Sequence, residues 1–123
     1  MIQLGCCADI PLDEDSRARY GHIQEAGFDY AECNFQTAAA LSDTERADAV
    51  RFIRDSGLPC TAMNCFLPGN IPLVGPNADL GKARRFMDKA FDSASAFGVR
   101  TLCFGSGGAR RNPPGFSREI AHM

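Results

Sequence analysis

Apolar runs and polar, helix-favouring segments alternate along the whole chain, and their order predicts its secondary structure. Short, mostly apolar runs at residues 2–7, 28–35, 60–65 and 101–104 predict four β-strands. Each run is separated from the next by a longer segment that carries the start and stop signals of a helix. The predicted order is therefore β-α-β-α-β-α-β.

The helix signals differ in strength among the three segments between the strands. A first helix is predicted over residues 16–26, and a second runs from a capping box formed by Ser42 and Glu45 to a stop at Gly57. The third is the clearest, because its apolar residues follow the spacing of one buried stripe: Leu80, Ala83, Met87, Ala90, Ala94 and Phe97. Residues 116–123 predict the beginning of a fourth helix.

This alternation implies a parallel sheet joined by right-handed crossovers. Two α/β architectures fit: a flavodoxin-like open sheet, or about the first half of a (βα)8 TIM barrel. Because alternate strand residues face opposite ways, Ala31 and Cys33 can face the helices while Glu32, Asn34 and Asn64 face the other side. Central strands of a doubly wound sheet should be apolar on both faces. Each strand here has one polar face, which favours the barrel, because that face would line the barrel lumen.

Residues at the carboxyl ends of barrel strands build the active sites of (βα)8 enzymes. Here those positions hold Cys7, Glu32, Asn34 and Asn64. Glu32 is the strongest candidate for a functional residue. Burying a carboxylate that points inward from a strand costs free energy unless the group is paired or has a function in the site. The alternative interpretation is a structural ion pair with a Lys or Arg. The two asparagines are as able to hold loops in place as to contact a substrate.

A glycine-rich stretch follows the last predicted strand. The backbone N–H groups of Gly105, Ser106 and Gly107, with a helix N-terminus behind them, suit an anion such as a phosphate or carboxylate. Arg110 or Arg111 can add a bidentate clamp. The sequence Gly-Ser-Gly-Gly matches neither the Walker pattern nor GxGxxG. A flexible turn with solvated arginines is therefore the alternative.

Composition narrows the class of protein. A chain of 123 residues with 45% hydrophobic residues fits one globular domain. Its net charge of -2, with basic residues scattered, argues against a nucleic-acid partner. No signal peptide and no apolar run of about 20 residues is present, so we expect no membrane partner and a cytoplasmic protein. The six cysteines, without any CxxC, are then expected to stay reduced.

Three segments resemble the xylose isomerase-like TIM barrel superfamily of sugar phosphate isomerases and epimerases: residues 26–32, 82–99 and 104–117. Their most specific features are Glu32 at the end of the second strand and the GSGxxRxxPxG loop. The resemblance implies that residues 1–123 form a partial TIM barrel domain for a small sugar-like substrate. The substrate contacts expected in this segment are Cys7, Glu32, Asn64, Gly105, Ser106, Gly107 and Arg110.

The resemblance also implies a divalent metal cofactor (Mn, Mg, Co or Zn) and isomerisation or epimerisation through an enediolate, or by hydride shift in the xylose isomerase branch. The family's metal ligands come from the second half of the barrel. None is therefore assigned to this chain, and we expect this segment alone to bind no metal.

A whole barrel takes roughly 250 residues, so we expect an N-terminal fragment that is inactive alone. Two copies closing as a homodimer are a further possibility. The alternative function is a non-catalytic module that binds a small anion or a nucleotide on a flavodoxin-like open sheet.

Overall fold

Residues 1–117, which the computed structural model describes, form a parallel sheet with helices packed against one face. The strands are β1 (Gly5–Cys7), β2 (Tyr30–Asn34), β3 (Cys60–Asn64) and β4 (Thr101–Leu102). The helices are α1 (Glu14–Glu25), α2 (Phe35–Ala40), α3 (Asp43–Ser56) and α4 (Leu80–Ala96). The predicted alternation of strands and helices is confirmed, with α2 as an addition.

The strands lie in the sheet in chain order, β1-β2-β3-β4, and every neighbouring pair is parallel. In a flavodoxin-like sheet the strand order reverses partway, so that helices cover both faces. The winding does not reverse within residues 1–117, which is the arrangement of half a (βα)8 barrel. The flavodoxin-like alternative is therefore wrong for these strands.

The two faces of the sheet differ as the alternation of side chains predicts. Ala31, Cys33 and Met63 are buried in the core between the sheet and the helices. Glu32 and Asn64 lie on the opposite face, where they meet each other. This face is the one that would line a barrel lumen.

The first strand is shorter than predicted. β1 comprises only Gly5–Cys7, whereas the sequence predicts a strand over residues 2–7. The alternation of side chains along a strand over residues 2–7 predicts that Ile2 and Leu4 face the helices, but they are 87% and 61% exposed. Neither side chain is covered by another element of the described chain.

Helix α2 begins directly after β2, where the sequence predicts a link. The side chain of Asn34 accepts a hydrogen bond from the backbone N–H of Thr37 at 3.0 Å and so caps the helix. Phe35, expected as the last residue of the strand, is instead the first residue of α2 and is fully buried. In the sequence, an asparagine that can cap a helix, followed by a run of alanines, was the feature that could have predicted α2.

The other helices mostly begin and end where their capping residues predict. The Ser42–Glu45 capping box opens α3, and Gly57 ends it with a φ of 80°. Helix α1 starts earlier than expected, because Asp13 is its N-cap. Ser16, inside the helix, completes a capping box: its N–H donates to the Asp13 side chain and its hydroxyl accepts from the N–H of Asp13. In α4 the predicted stripe is largely buried, except that Leu80 is exposed.

The fourth predicted helix, residues 116–123, lies outside the described residues apart from its first two, which are not helical. Within residues 1–117, no helix has both the length and the apolar character needed to cross a bilayer.

Candidate functional site

A small polar cleft of about 250 Å³ opens at the carboxyl ends of β1, β2 and β3. Its lining brings together residues from three strands and the turn after β1: Cys7, Ala8, Asp9, Glu32, Asn34 and Asn64. Parallel strands end at one edge of the sheet, so side chains distant in sequence converge there. Three of the predicted contacts, Cys7, Glu32 and Asn64, therefore share one cavity.

The centre of this cleft is a hydrogen bond between Asn64 and Glu32. Asn64 Nδ2 donates to Glu32 Oε1 at 2.8 Å and lies 3.8 Å from the Sγ of Cys7. No ion pair identified within residues 1–117 involves Glu32. The amide holds one carboxylate oxygen in place without neutralising its charge.

Two further polar groups of the cleft have partners that fix their role. The side chain of Asn34 caps α2, so this residue has the structural role that the sequence left open. Asp9 pairs with Arg19 at 3.1 Å, and both side chains are largely exposed. Asp9 was not among the site residues predicted from the sequence. Its position just beyond a strand end was the signal that could have identified it.

The thiol of Cys7 shares the electrostatic environment of Glu32. Burial of the sulfur and the negative charge of Glu32 both raise the pKa of Cys7 above its ordinary value. Because the thiolate is the reactive form, a raised pKa lowers the reactivity of a thiol near neutral pH.

Glu32→Gln should make Cys7 react faster with iodoacetamide. The substitution removes a negative charge that opposes thiolate formation, so the pKa of Cys7 falls and its thiolate fraction at pH 8 rises. The measurement is the rate of alkylation at each cysteine, followed by peptide mass spectrometry. Cys103 is an exposed internal control whose rate should not change. An unchanged rate at Cys7 would show that the Glu32 charge does not act on this thiol.

The glycine-rich loop does not line the cleft. Ser106 Oγ accepts a hydrogen bond from the backbone N–H of Leu67 at 2.8 Å, which ties this loop to the one that follows β3. Arg110 donates from Nε and Nη2 to the carbonyl of Gly105, at 2.9 and 2.5 Å. Its guanidinium also lies 5.5 Å from the centre of the Phe104 ring. The loop is therefore held in shape by the side chain of Ser106 and by that of Arg110, which was predicted to bind an anion.

A close contact between backbones explains one of the glycines near this loop. A Cβ on Gly108 would lie 3.0 Å from the Cα of Gly69. A Cβ on Gly105 or Gly107 would have no such neighbour within 4 Å, and both residues are exposed. Open backbone at these two positions leaves room for a ligand beside the loop.

The residues described here do not form a metal site by themselves. Within residues 1–117, no group of three or more His, Cys, Asp or Glu side chains is placed to hold a metal ion. The Glu32 and Asp9 carboxylates and the Cys7 thiol of the cleft do not amount to such a group. The metal expected from the resemblance thus does not fit the residues described, and we derive no chemical step from it.

A larger cavity of about 540 Å³ lies between the carboxyl ends of α3 and α4, at the opposite end of the sheet. Its walls include Ile53, Pro59 and Phe97. Catalytic groups of (βα)8 proteins lie at the carboxyl ends of the strands, whereas the amino ends contribute stability. The smaller, polar cleft around Glu32 is therefore the better candidate for chemistry.

A parallel sheet wound in one direction, with a polar cleft at the carboxyl ends of its strands, defines the class of (βα)-barrel proteins. The family model described as "Xylose isomerase-like TIM barrel" matches residues 21–122. The chain belongs to this family, since the match spans most of its length.

Among solved structures, the chain is similar to one described as "Crystal structure of D-psicose 3-epimerase (DPEase) in the presence of D-fructose". The two share 16% sequence identity and superpose with a TM-score of 0.64 over 82% of this chain. The chain spans 36% of the length of that epimerase chain. At this identity the likeness concerns the fold alone. No curated protein sequence matches the chain.

Proposed function

We propose that the chain forms the substrate-binding first part of a sugar isomerase or epimerase. The observation that carries the proposal is the Glu32–Asn64 pair, held at 2.8 Å in an open cleft at the catalytic end of a xylose isomerase-like sheet. The similar solved structure is that of a D-psicose 3-epimerase in the presence of D-fructose, which supports the same class of substrate.

In this proposal Glu32 accepts hydrogen bonds from sugar hydroxyl groups. A carboxylate has two oxygens and about four acceptor sites, and Asn64 occupies only one of the oxygens in the structure. The carbonyl oxygen of the Asn64 amide is a second acceptor, while Asp9 offers another carboxylate on the same wall. Hydroxyl-rich ligands suit such a group of acceptors, since each hydroxyl supplies one donor.

The glycine-rich loop distinguishes a sugar phosphate from a neutral sugar. Gly105 and Gly107 border open space, and the guanidinium of Arg110 has five N–H donors, of which one on Nε and one on Nη2 contact Gly105. The remaining three donors, two on Nη1 and one on Nη2, can meet a phosphate. We propose that Arg110 recognises the phosphate of a sugar phosphate while Glu32 recognises its hydroxyl groups.

The chemical step of the family would need groups beyond those described. The resemblance implies a divalent metal (Mn, Mg, Co or Zn) for that step. The resemblance assigns the ligands of such a metal to the second half of the barrel. We therefore propose that the 123-residue chain binds sugar without isomerising it. Conversion of D-fructose by the purified chain, with or without MnCl2, would contradict this.

Arg110→Ala should weaken the binding of D-ribulose 5-phosphate by about ten- to a hundredfold and leave D-fructose binding unchanged. A charge-assisted hydrogen bond to phosphate contributes about 1.5–3 kcal/mol to binding. D-fructose has no phosphate, so its binding does not include this hydrogen bond. Isothermal titration calorimetry measures both affinities. Arg84→Ala, on the exposed face of α4, is the matched control.

Three outcomes of this titration are informative. Equal loss for both sugars would mean that Arg110 acts by holding the loop rather than by contacting phosphate. No loss for either would remove the proposed phosphate role. Binding of inorganic phosphate without any sugar binding would instead favour the small-anion binding module, on a barrel-type sheet.

A further inference from the structure

The chain leaves β3 through a sharp turn at Cys65. This residue has a φ of 54°, in the left-handed region of the backbone, although it is not a glycine. The Cβ of any residue other than glycine makes this conformation costly, so further contacts must hold it. Asn64, whose amide donates to Glu32, directly precedes the turn. The direction of the Asn64 side chain therefore depends on how the turn is held.

Helix α2 holds the turn through the side chain of Gln36. Gln36 Nε2 donates a hydrogen bond to the carbonyl oxygen of Cys65 at 2.8 Å. The preceding residue of the same helix, Phe35, stacks its ring on that of Phe66 with a centroid distance of 5.1 Å. The aromatic pair anchors the segment after β3 to the core, whereas Gln36 fixes the peptide group between Cys65 and Phe66.

This hydrogen bond lies just outside the cleft. Asn34 and Asn64 line the cleft and are paired with each other in the register of β2 and β3, whereas Gln36 and Cys65 are not part of its lining. Both strands end at these asparagines. The hydrogen bond from Gln36 therefore continues the contact between the two segments past the point where strand pairing stops. Any effect of Gln36 on the cleft must act through a neighbouring residue.

We propose that Gln36 is a positioning residue of the candidate site. By holding the left-handed turn at Cys65, it keeps the amide of Asn64 on Glu32. Without this hydrogen bond, the backbone of Cys65 can relax to the extended conformations that residues with a Cβ favour. The peptide group next to Asn64 then rotates, and its amide loses its alignment with the carboxylate. A loss of sugar affinity would rest on the proposed function, whereas the orientation of Asn64 does not.

Gln36→Leu removes the hydrogen bond and keeps a side chain of similar size. In 15N–1H spectra of the labelled chain without sugar, we expect the side-chain amide signals of Asn64 to move toward their positions in Glu32→Ala. In that reference variant the amide has no carboxylate acceptor. The affinity for D-fructose should fall about two- to tenfold, as expected when one neutral hydrogen bond is lost.

A second substitution separates the turn from a general effect on packing. Cys65→Gly, added to Gln36→Leu, should return the Asn64 signals toward those of the unmodified chain, because glycine adopts the left-handed region without a clash. Cys65→Ala in the same background also removes the thiol but keeps the Cβ, so it should give no rescue. Gln24→Leu, the same change at an exposed position of α1, is the control and should leave the Asn64 signals in place.

Asn64 signals that stay in place in Gln36→Leu would overturn the proposal. Equal rescue by Cys65→Gly and Cys65→Ala would overturn it as well, because the effect would then come from the thiol and not from the turn. Both results are read without sugar. Signals that move and recover as expected, in a chain that binds no D-fructose, would support the positioning role and contradict the proposed function.

Discussion

Glu32→Gln is expected to weaken the binding of D-fructose by about ten- to a hundredfold. Glutamine keeps the shape of the side chain and can still accept from Asn64 Nδ2, so the cleft should stay formed. What is lost is the charge, and hydrogen bonds to a charged acceptor contribute about 1.5–3 kcal/mol each. Isothermal titration calorimetry on both proteins measures the change.

The control for this substitution is Glu25→Gln, which removes the same charge from the exposed end of α1. Its D-fructose affinity should equal that of the unmodified chain. If Glu32→Gln bound D-fructose as tightly as Glu25→Gln, the carboxylate of Glu32 would have no part in sugar binding. The pair with Asn64 would then be only a structural hydrogen bond.

Phe35→Ala is expected to lower the free energy of unfolding by about 3–5 kcal/mol. The Phe35 ring is fully buried and stacks on Phe66 with a centroid distance of 5.1 Å. It also meets Phe86 and Phe91 edge-on, at 6.3 and 5.8 Å. Alanine would leave a cavity where these aromatic rings converge. Since the free energy of unfolding of small domains is about 5–15 kcal/mol, this single substitution should remove much of the stability of the chain.

Urea unfolding followed by circular dichroism, at one fixed protein concentration, measures the loss. Phe104→Ala is the matched control, because that ring is half exposed and should cost far less. Equal losses at Phe35 and Phe104 would contradict the central position of Phe35 in the core.

The alternation of side chains along β2 and β3 was enough to predict which face carries Glu32 and Asn64. A strand has a side-chain period of two, so burial of Ala31 and Cys33 fixes the direction of Glu32 between them. That inference needs no knowledge of the partner strand. The hydrogen bond from Asn64 confirms it, because the two residues could not meet from opposite faces.

The sequence was less informative where tertiary contacts decide the structure. Asn34 lines the cleft, but its side chain caps α2, a role that depends on the chain turning at Phe35. The side chain of Arg110 folds back onto Gly105 because that carbonyl lies within its reach, which no spacing rule predicts. Local propensity identifies the residue types for caps and anion sites but does not say which partner each side chain takes.

The most direct test of a sugar site at the carboxyl ends of the strands is to map backbone amide chemical shifts while D-fructose is titrated into the 15N-labelled chain. We expect the largest changes at Ala8, Glu32 and Asn64, and none at Ile53 and Phe97 in the cavity at the opposite end. Changes confined to that opposite cavity, or no saturable change anywhere, would contradict a sugar site around Glu32.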